Sequence, residues 1–171
     1  QMPDNDKHHV FLGRQPILDR NQQLLAYELL FRDGQVVSGN CAEIRDARQA
    51  TASVIANAFT EFSVGDTLGP YRGFINVDHE FLFSDLIEVL PAQSGVLELL
   101  ESIKATPEVL ARCRQLHEKG FTLAIDNVVQ SDVVDCPLLE LATIIKIDIM
   151  ALDALALRAL VAQLKPLGKQ L

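Results

Sequence analysis

The chain reads as an α/β protein built on a mostly parallel sheet, and three observations carry that reading. Short apolar runs recur along it, stretches with helical spacing separate the later runs, and a very short link joins the first two. Six runs have strand character, and the text closes on a helical stretch where a next strand is due. The sheet is then either open or an eight-stranded barrel lacking its last quarter, since such barrels run to about 250 residues.

The elements follow in order. Residues 10–18, VFLGRQPIL, and 24–31, LLAYELLF, read as strands separated by only Asp19 to Gln23. So short a link joins antiparallel neighbours, because a parallel pair needs a crossover of about a dozen residues. Residues 43–62 carry apolar residues near helical spacing, and a Gly/Pro-punctuated loop runs from Gly65 to Gly73. GFINV (73–77) is a strand and His79 to Leu90 a helix; GVLELL (95–100) is a strand. Thr106 caps a helix that Pro107 opens and Gly120 stops. FTLAID (121–126) and TIIKID (143–148) are strands, and 151–164 is a helix ended by Pro166 and Gly168.

Composition narrows the function classes. A length of 171 residues supports one domain with a real core, and 49% apolar content argues against disorder. The net charge of −8 argues against a nucleic-acid polymer or an anionic membrane as partner. No stretch has the length of a membrane span, and residues 1–9 form a polar extension without a signal-peptide core. Cys41, Cys113 and Cys136 have no metal-ligand spacing and read as reduced thiols of a cytoplasmic protein.

Polar residues interrupt the apolar runs: Glu28, Asn76, Glu98, Asp126 and Lys146. A carboxylate in such a run is costly unless paired, hydrogen-bonded or bound to a cation. Each one alone reads as a helix cap or the partner of an Arg. Together, on five strands, they point to one site at the carboxyl end of the sheet. Carboxylates and an amide oxygen suit Mg²⁺, Mn²⁺ or Ca²⁺, and hard cations beside a Lys fit phosphoryl chemistry. Outside the row, His8 and His9 read as solvated, His79 as a helix-start residue and His117 as a last-turn cation suited to the helix dipole. Glu101 reads either as an orienter of Lys146 or as an exposed strand-end acid. Asp148 reads either as a partner of Lys146 or as the cap of the next helix.

In that order and spacing the residues resemble the EAL family of bacterial cyclic-di-GMP phosphodiesterases. QPILDRNQQLLAYELLFR (15–32) is similar to the opening hairpin, with Glu28-Leu29-Leu30 in the EAL position and Arg32 two residues beyond. GFINV, LELLES (97–102), LAIDN (123–127) and IKID (145–148) resemble the later motif strands. FLGRQPILD, AYELLFRDG and ATASVIANAF are similar to the subfamily in which an EAL-like domain precedes an HDOD domain. The resemblance implies a modified TIM barrel with an antiparallel first strand, of which 10–171 would be the N-terminal two-thirds. It implies Mg²⁺ or Mn²⁺ held by Glu28, Asn76, Glu98 and Asp126. It gives catalytic roles to Lys146 and Glu101, and cyclic-di-GMP contacts to Gln15, Leu30 and Arg32.

Three departures set this chain apart from the pattern. Asn127 stands where the family has a second Asp, the loop NVVQSDVVD (127–135) lacks the family's Phe-Gly text, and the late-barrel positions are absent. Asp132 and Asp135 are formal substitutes with no argument for either. The reading is therefore a degenerate EAL-like signalling domain, acting through protein contacts, an HDOD-like domain included, or through residual cyclic-di-GMP binding. The alternatives are an active phosphodiesterase in the full-length protein and a ligand-free scaffold. Open sheet edges also predict self-association, or an exposed apolar patch near 143–164.

Overall fold

The computed structural model describes residues 10–33, 55–56, 59, 66, 68–129 and 135–171. Six strands, β1 Val10–Leu18, β2 Leu24–Asp33, β3 Arg72–Val77, β4 Gly95–Leu99, β5 Thr122–Val128 and β6 Ile144–Ile147, form one sheet in sequence order. β1 is antiparallel to β2, and every later pair is parallel. The hairpin link closes because Asp19 Oδ1 accepts from the backbone N–H of Asn21 (2.8 Å) and of Gln23 (2.9 Å).

Helix α1 is His79–Phe83, α2 is Pro107–Glu118 and α3 is Ala154–Leu164. The sequence predicts one helix from His79 to Leu90, but the structure breaks it at Ser84, whose backbone is extended (φ −75, ψ 137). The Ser84 hydroxyl accepts from Leu86 N at 3.2 Å and starts a 3-10 turn, Asp85–Val89. Arg112 of α2 fixes the break from outside, donating from Nε to Leu82 O (2.8 Å) and from Nη2 to Ser84 O (3.1 Å). α2 itself starts at the Thr106 cap and Pro107, and the chain leaves it through Gly120 at φ 94. α3 starts at Ala154 and not at residue 151, because Asp153 Oδ1 accepts from Ala156 N (2.8 Å) and caps it. The helix predicted over 43–62 lies outside the described residues except for Ile55, Ala56 and Phe59, which are helical and buried. Within the predicted 65–73 loop, the described residues Asp66 and Leu68 are helical.

Strand alternation gives the sheet two faces. Leu29, Ile75, Val77, Leu97, Leu99 and Leu123 point one way and form the main core with Phe81, Leu82, Val109, Cys113 and Leu116 of α1 and α2. The other face carries Ala26, Phe74, Val96, Ala124 and Ile144, which pack on one another with no helix residue among the described members of the cluster. Val96 and Ala124 are nonetheless fully buried. Burial of a sheet face by its own side chains fits a sheet that curves round into a barrel wall. The sheet also continues past β6: Gln170 bridges parallel to Ile144, with Ile145 N donating to Gln170 O at 2.8 Å. This is the α/β half-barrel with an antiparallel first strand, and its curvature decides against the flat open sheet. Cys113 is buried and Cys136 half-buried, both as free thiols. No helix among the described residues is long and apolar enough to cross a membrane.

Candidate functional site at the carboxyl edge of the sheet

Two residues beyond each member of the small inner cluster stands a member of the polar row: Glu28 above Ala26, Asn76 above Phe74, Glu98 above Val96, Asp126 above Ala124 and Lys146 above Ile144. The period of two puts all five on the inner face. Curvature then brings distant strands together. Lys146 Nζ on β6 donates to Glu98 Oε1, and it lies 3.6 Å from Glu28 Oε2 on β2 and 3.6 Å from Asp126 Oδ1 on β5. In a flat sheet β2 and β6 would stand about 19 Å apart. The ion pair between them is therefore a product of the barrel wall.

The electrostatics are dominated by Glu98, which is 0% exposed. Burial pushes its carboxyl up to about 7, Lys146 pulls against this, and the charges of Asp126 and Glu28 add to the rise. Burial alone would lower Lys146, but the carboxylates of Glu98, Glu28 and Asp126 outweigh it and hold the ammonium above its ordinary value. Two buried oxygens have no hydrogen-bond partner among the described residues, Glu98 Oε2 and Asn76 Oδ1. They sit on register-matched residues of β4 and β3. Unsatisfied buried acceptors are rare, and a pair of one polarity on neighbouring strands suits coordination of a cation.

A cavity of about 450 Å³ opens beside the row, lined by Leu100, Glu101, Ser102, Asp126, Asn127, Lys146, Ile147 and Asp148. Its wall includes a bulge in β5, where the register with β6 shifts between Ile125 and Val128 and Asn127 takes φ 55. Asn is one of the few residues that adopt this left-handed conformation readily. The bulge aims the Asn127 side chain across to the turn after β4, where Nδ2 donates to Glu101 Oε2 at 2.6 Å.

Glu101 is exposed in the turn beyond β4, bonded to Asn127 and outside the ion pairs of Lys146. Asp148 fits neither of its readings: its Oδ1 accepts from Met150 N (2.9 Å), it is not among the carboxylates paired with Lys146, and α3 is capped by Asp153. Gln15 is the register partner of Glu28 and is exposed on β1; Leu30 is half-buried one step up β2. Arg32 continues β2, with its side chain outside the described residues, as are Cys41, Asp132, His8 and His9. His79 begins α1, exposed, with its ring 4.8 Å from that of Phe83, and His117 lies in the last turn of α2. Leu100 and Ser102 line the cavity without having been singled out, since a turn of ordinary composition carries no signal of its place.

The donor set suits a hard divalent cation: carboxylates from Glu28, Glu98 and Asp126 with the Asn76 amide oxygen, two of these oxygens being unpartnered. Among the described residues no three acidic, thiol or imidazole groups are already gathered as a cage, and Lys146 Nζ holds the centre of the carboxylates. The residues fit the ion in chemistry, with the ammonium as the positive charge now balancing them.

No family model matches the chain. It is 34% identical over 146 residues to Uncharacterized protein YuxH of Bacillus subtilis (strain 168), covering 85% of this chain and 35% of that protein. It is 34% identical over 149 residues to Cyclic di-GMP phosphodiesterase CdgJ of Vibrio cholerae serotype O1, covering 87% of this chain and 34% of that protein. The chain thus spans about a third of the length of these curated relatives. Its fold is similar to the crystal structure of the Bacillus subtilis YkuI protein, with an EAL domain, in complex with substrate c-di-GMP and calcium. There the TM-score is 0.67 at 18% identity, covering 94% of this chain and 46% of that one. The antiparallel opening hairpin and the parallel strands that follow agree with this likeness, and the described residues have the fold of part of an EAL-type barrel, six of its strands.

Proposed function

We propose that this chain is a degenerate EAL-type signalling domain that binds cyclic-di-GMP with the help of Mg²⁺ or Mn²⁺ and does not hydrolyse it. The bound state would then be passed on by protein contacts, an HDOD-like domain in the full-length cytoplasmic protein being one such partner. The observation that carries the reading is the pair of unpartnered buried oxygens, Glu98 Oε2 and Asn76 Oδ1, at the inner face of a sheet whose row also frames an open cavity. Glu28, Asn76, Glu98 and Asp126 would hold the cation, which polarises a phosphate when bound. Gln15, Leu30 and Arg32 would meet the dinucleotide. Loss of turnover is argued from Asn127, a neutral amide already engaged with Glu101 where the family pattern has a carboxylate.

A second reading, an active phosphodiesterase, draws on the arrangement of Lys146 among three carboxylates and on the activity in the name of the Vibrio cholerae relative. Calorimetric titration of the full-length protein with cyclic-di-GMP in Mn²⁺, followed by chromatography of the mixture, separates the readings. Saturable micromolar binding with no linear dinucleotide supports the degenerate domain. Linear product overturns it in favour of the enzyme, and absence of binding favours a ligand-free scaffold.

A further inference from the structure

We infer that the site of this chain takes one divalent cation and not two, because Asn127 brings no charge of its own and ties Glu101 Oε2 into a hydrogen bond. The inference rests on the reading of the row as a hard-cation site and specifies it further.

Charge balance is the first support. When ionised, the three carboxylates of Glu28, Glu98 and Asp126, set against the single ammonium of Lys146, leave a surplus of two negative charges. One divalent cation neutralises that surplus. A second would leave an equal positive excess around Glu98, whose side chain is fully buried and where uncompensated charge is expensive. A second ion therefore needs further carboxylates at the cavity.

The cavity offers two more acids, and both are engaged. Glu101 Oε2 accepts from Asn127 Nδ2 at 2.6 Å, and Asp148 Oδ1 accepts from Met150 N at 2.9 Å. The bulge at Asn127 (φ 55) directs the amide nitrogen at Glu101, so the bond is built into the backbone path. The unpartnered acceptors give the same count. Glu98 Oε2 and Asn76 Oδ1 are the two such oxygens among the described residues, and they belong to register-matched residues of β4 and β3, which suits one shared cation.

The test is calorimetric titration of the full-length protein with MnCl₂, alongside Mn²⁺ paramagnetic resonance, in which a bridged pair gives an exchange-coupled signal. The wild type is expected to take one equivalent and show no coupled signal. N127D is expected to take a second, and E101Q to stay at one. Two equivalents or a coupled signal in the wild type would overturn the inference while leaving the cation site intact. One equivalent in a folded N127D would overturn it as well, by showing that charge at this position is not the limit. If N127D does not fold, the wild-type resonance spectrum decides alone. No Mn²⁺ uptake by the wild type overturns the cation reading itself, and this inference with it.

Discussion

At Glu98 burial and pairing pull in opposite directions, and burial wins. A carboxyl held near 7 in the fold and at 4.5 when free binds its proton more tightly in the folded state. Its contribution is therefore most favourable at low pH and is lost as pH rises from about 4.5 to about 7, with a slope of at most about 1.4 kcal/mol per pH unit. Glu98→Gln should raise the unfolding free energy of the cation-free protein at pH 8 by about 1 to 3 kcal/mol and change it little at pH 4. Urea denaturation at the two pH values measures this, and an equal effect at both would show that desolvation is not the cause. Mn²⁺ should abolish the wild-type loss between pH 5 and pH 8, because a cation stabilises the carboxylate. The row itself was legible in the sequence because acids and a Lys inside apolar runs demand partners. The bond of Asn127 to Glu101 was not, since it depends on a bulge and a positive φ that nothing near Asn127 announces.

At the scale of elements, local chemistry and long-range contact were unequally legible. α2 could be bounded from Thr106, Pro107 and Gly120 alone, because capping, a fixed φ and a left-handed exit are local effects. The break at Ser84 could not, because Arg112 in another helix helps to satisfy the carbonyls freed there. Arg112 also pairs with Glu88 at 2.9 Å, so one side chain ties three parts of the 79–89 segment together. Arg112→Ala should cost about 2 kcal/mol, the range for hydrogen bonds to a charged group. It should raise amide exchange across 79–89 while leaving Mn²⁺ affinity within about threefold, since α1 packs on the outer face away from the row. Unchanged exchange in that segment would show that Ser84 holds the break unaided.

For the whole molecule, the strands and the antiparallel opening hairpin followed from the sequence, but the closeness of β2 and β6 followed from curvature. The inner cluster lines the concave side of that curve, and Ala124 is its smallest fully buried member, on the strand between those of Val96 and Ile144. Ala124→Leu should overpack this layer, cost about 1–3 kcal/mol, and weaken Mn²⁺ binding more than tenfold by separating Lys146 and Asp126 from Glu28. Retained affinity in a destabilised variant would show that the site does not depend on the wall behind it. Beside β6, Ile149, Met150 and Leu155 are exposed, at 62%, 90% and 78%, where the sequence predicted an apolar patch. Self-association through that region stays a proposal that light scattering at high protein concentration can test.

The central claim is a site that keeps binding after losing turnover, and the titration with cyclic-di-GMP tests it most directly when run with and without Mn²⁺ on the wild type and on Glu98→Gln. Binding by the wild type only with Mn²⁺, lost in the variant, with the nucleotide recovered intact, is the predicted result. Conversion to the linear dinucleotide, or binding indifferent to both Mn²⁺ and Glu98, would contradict it.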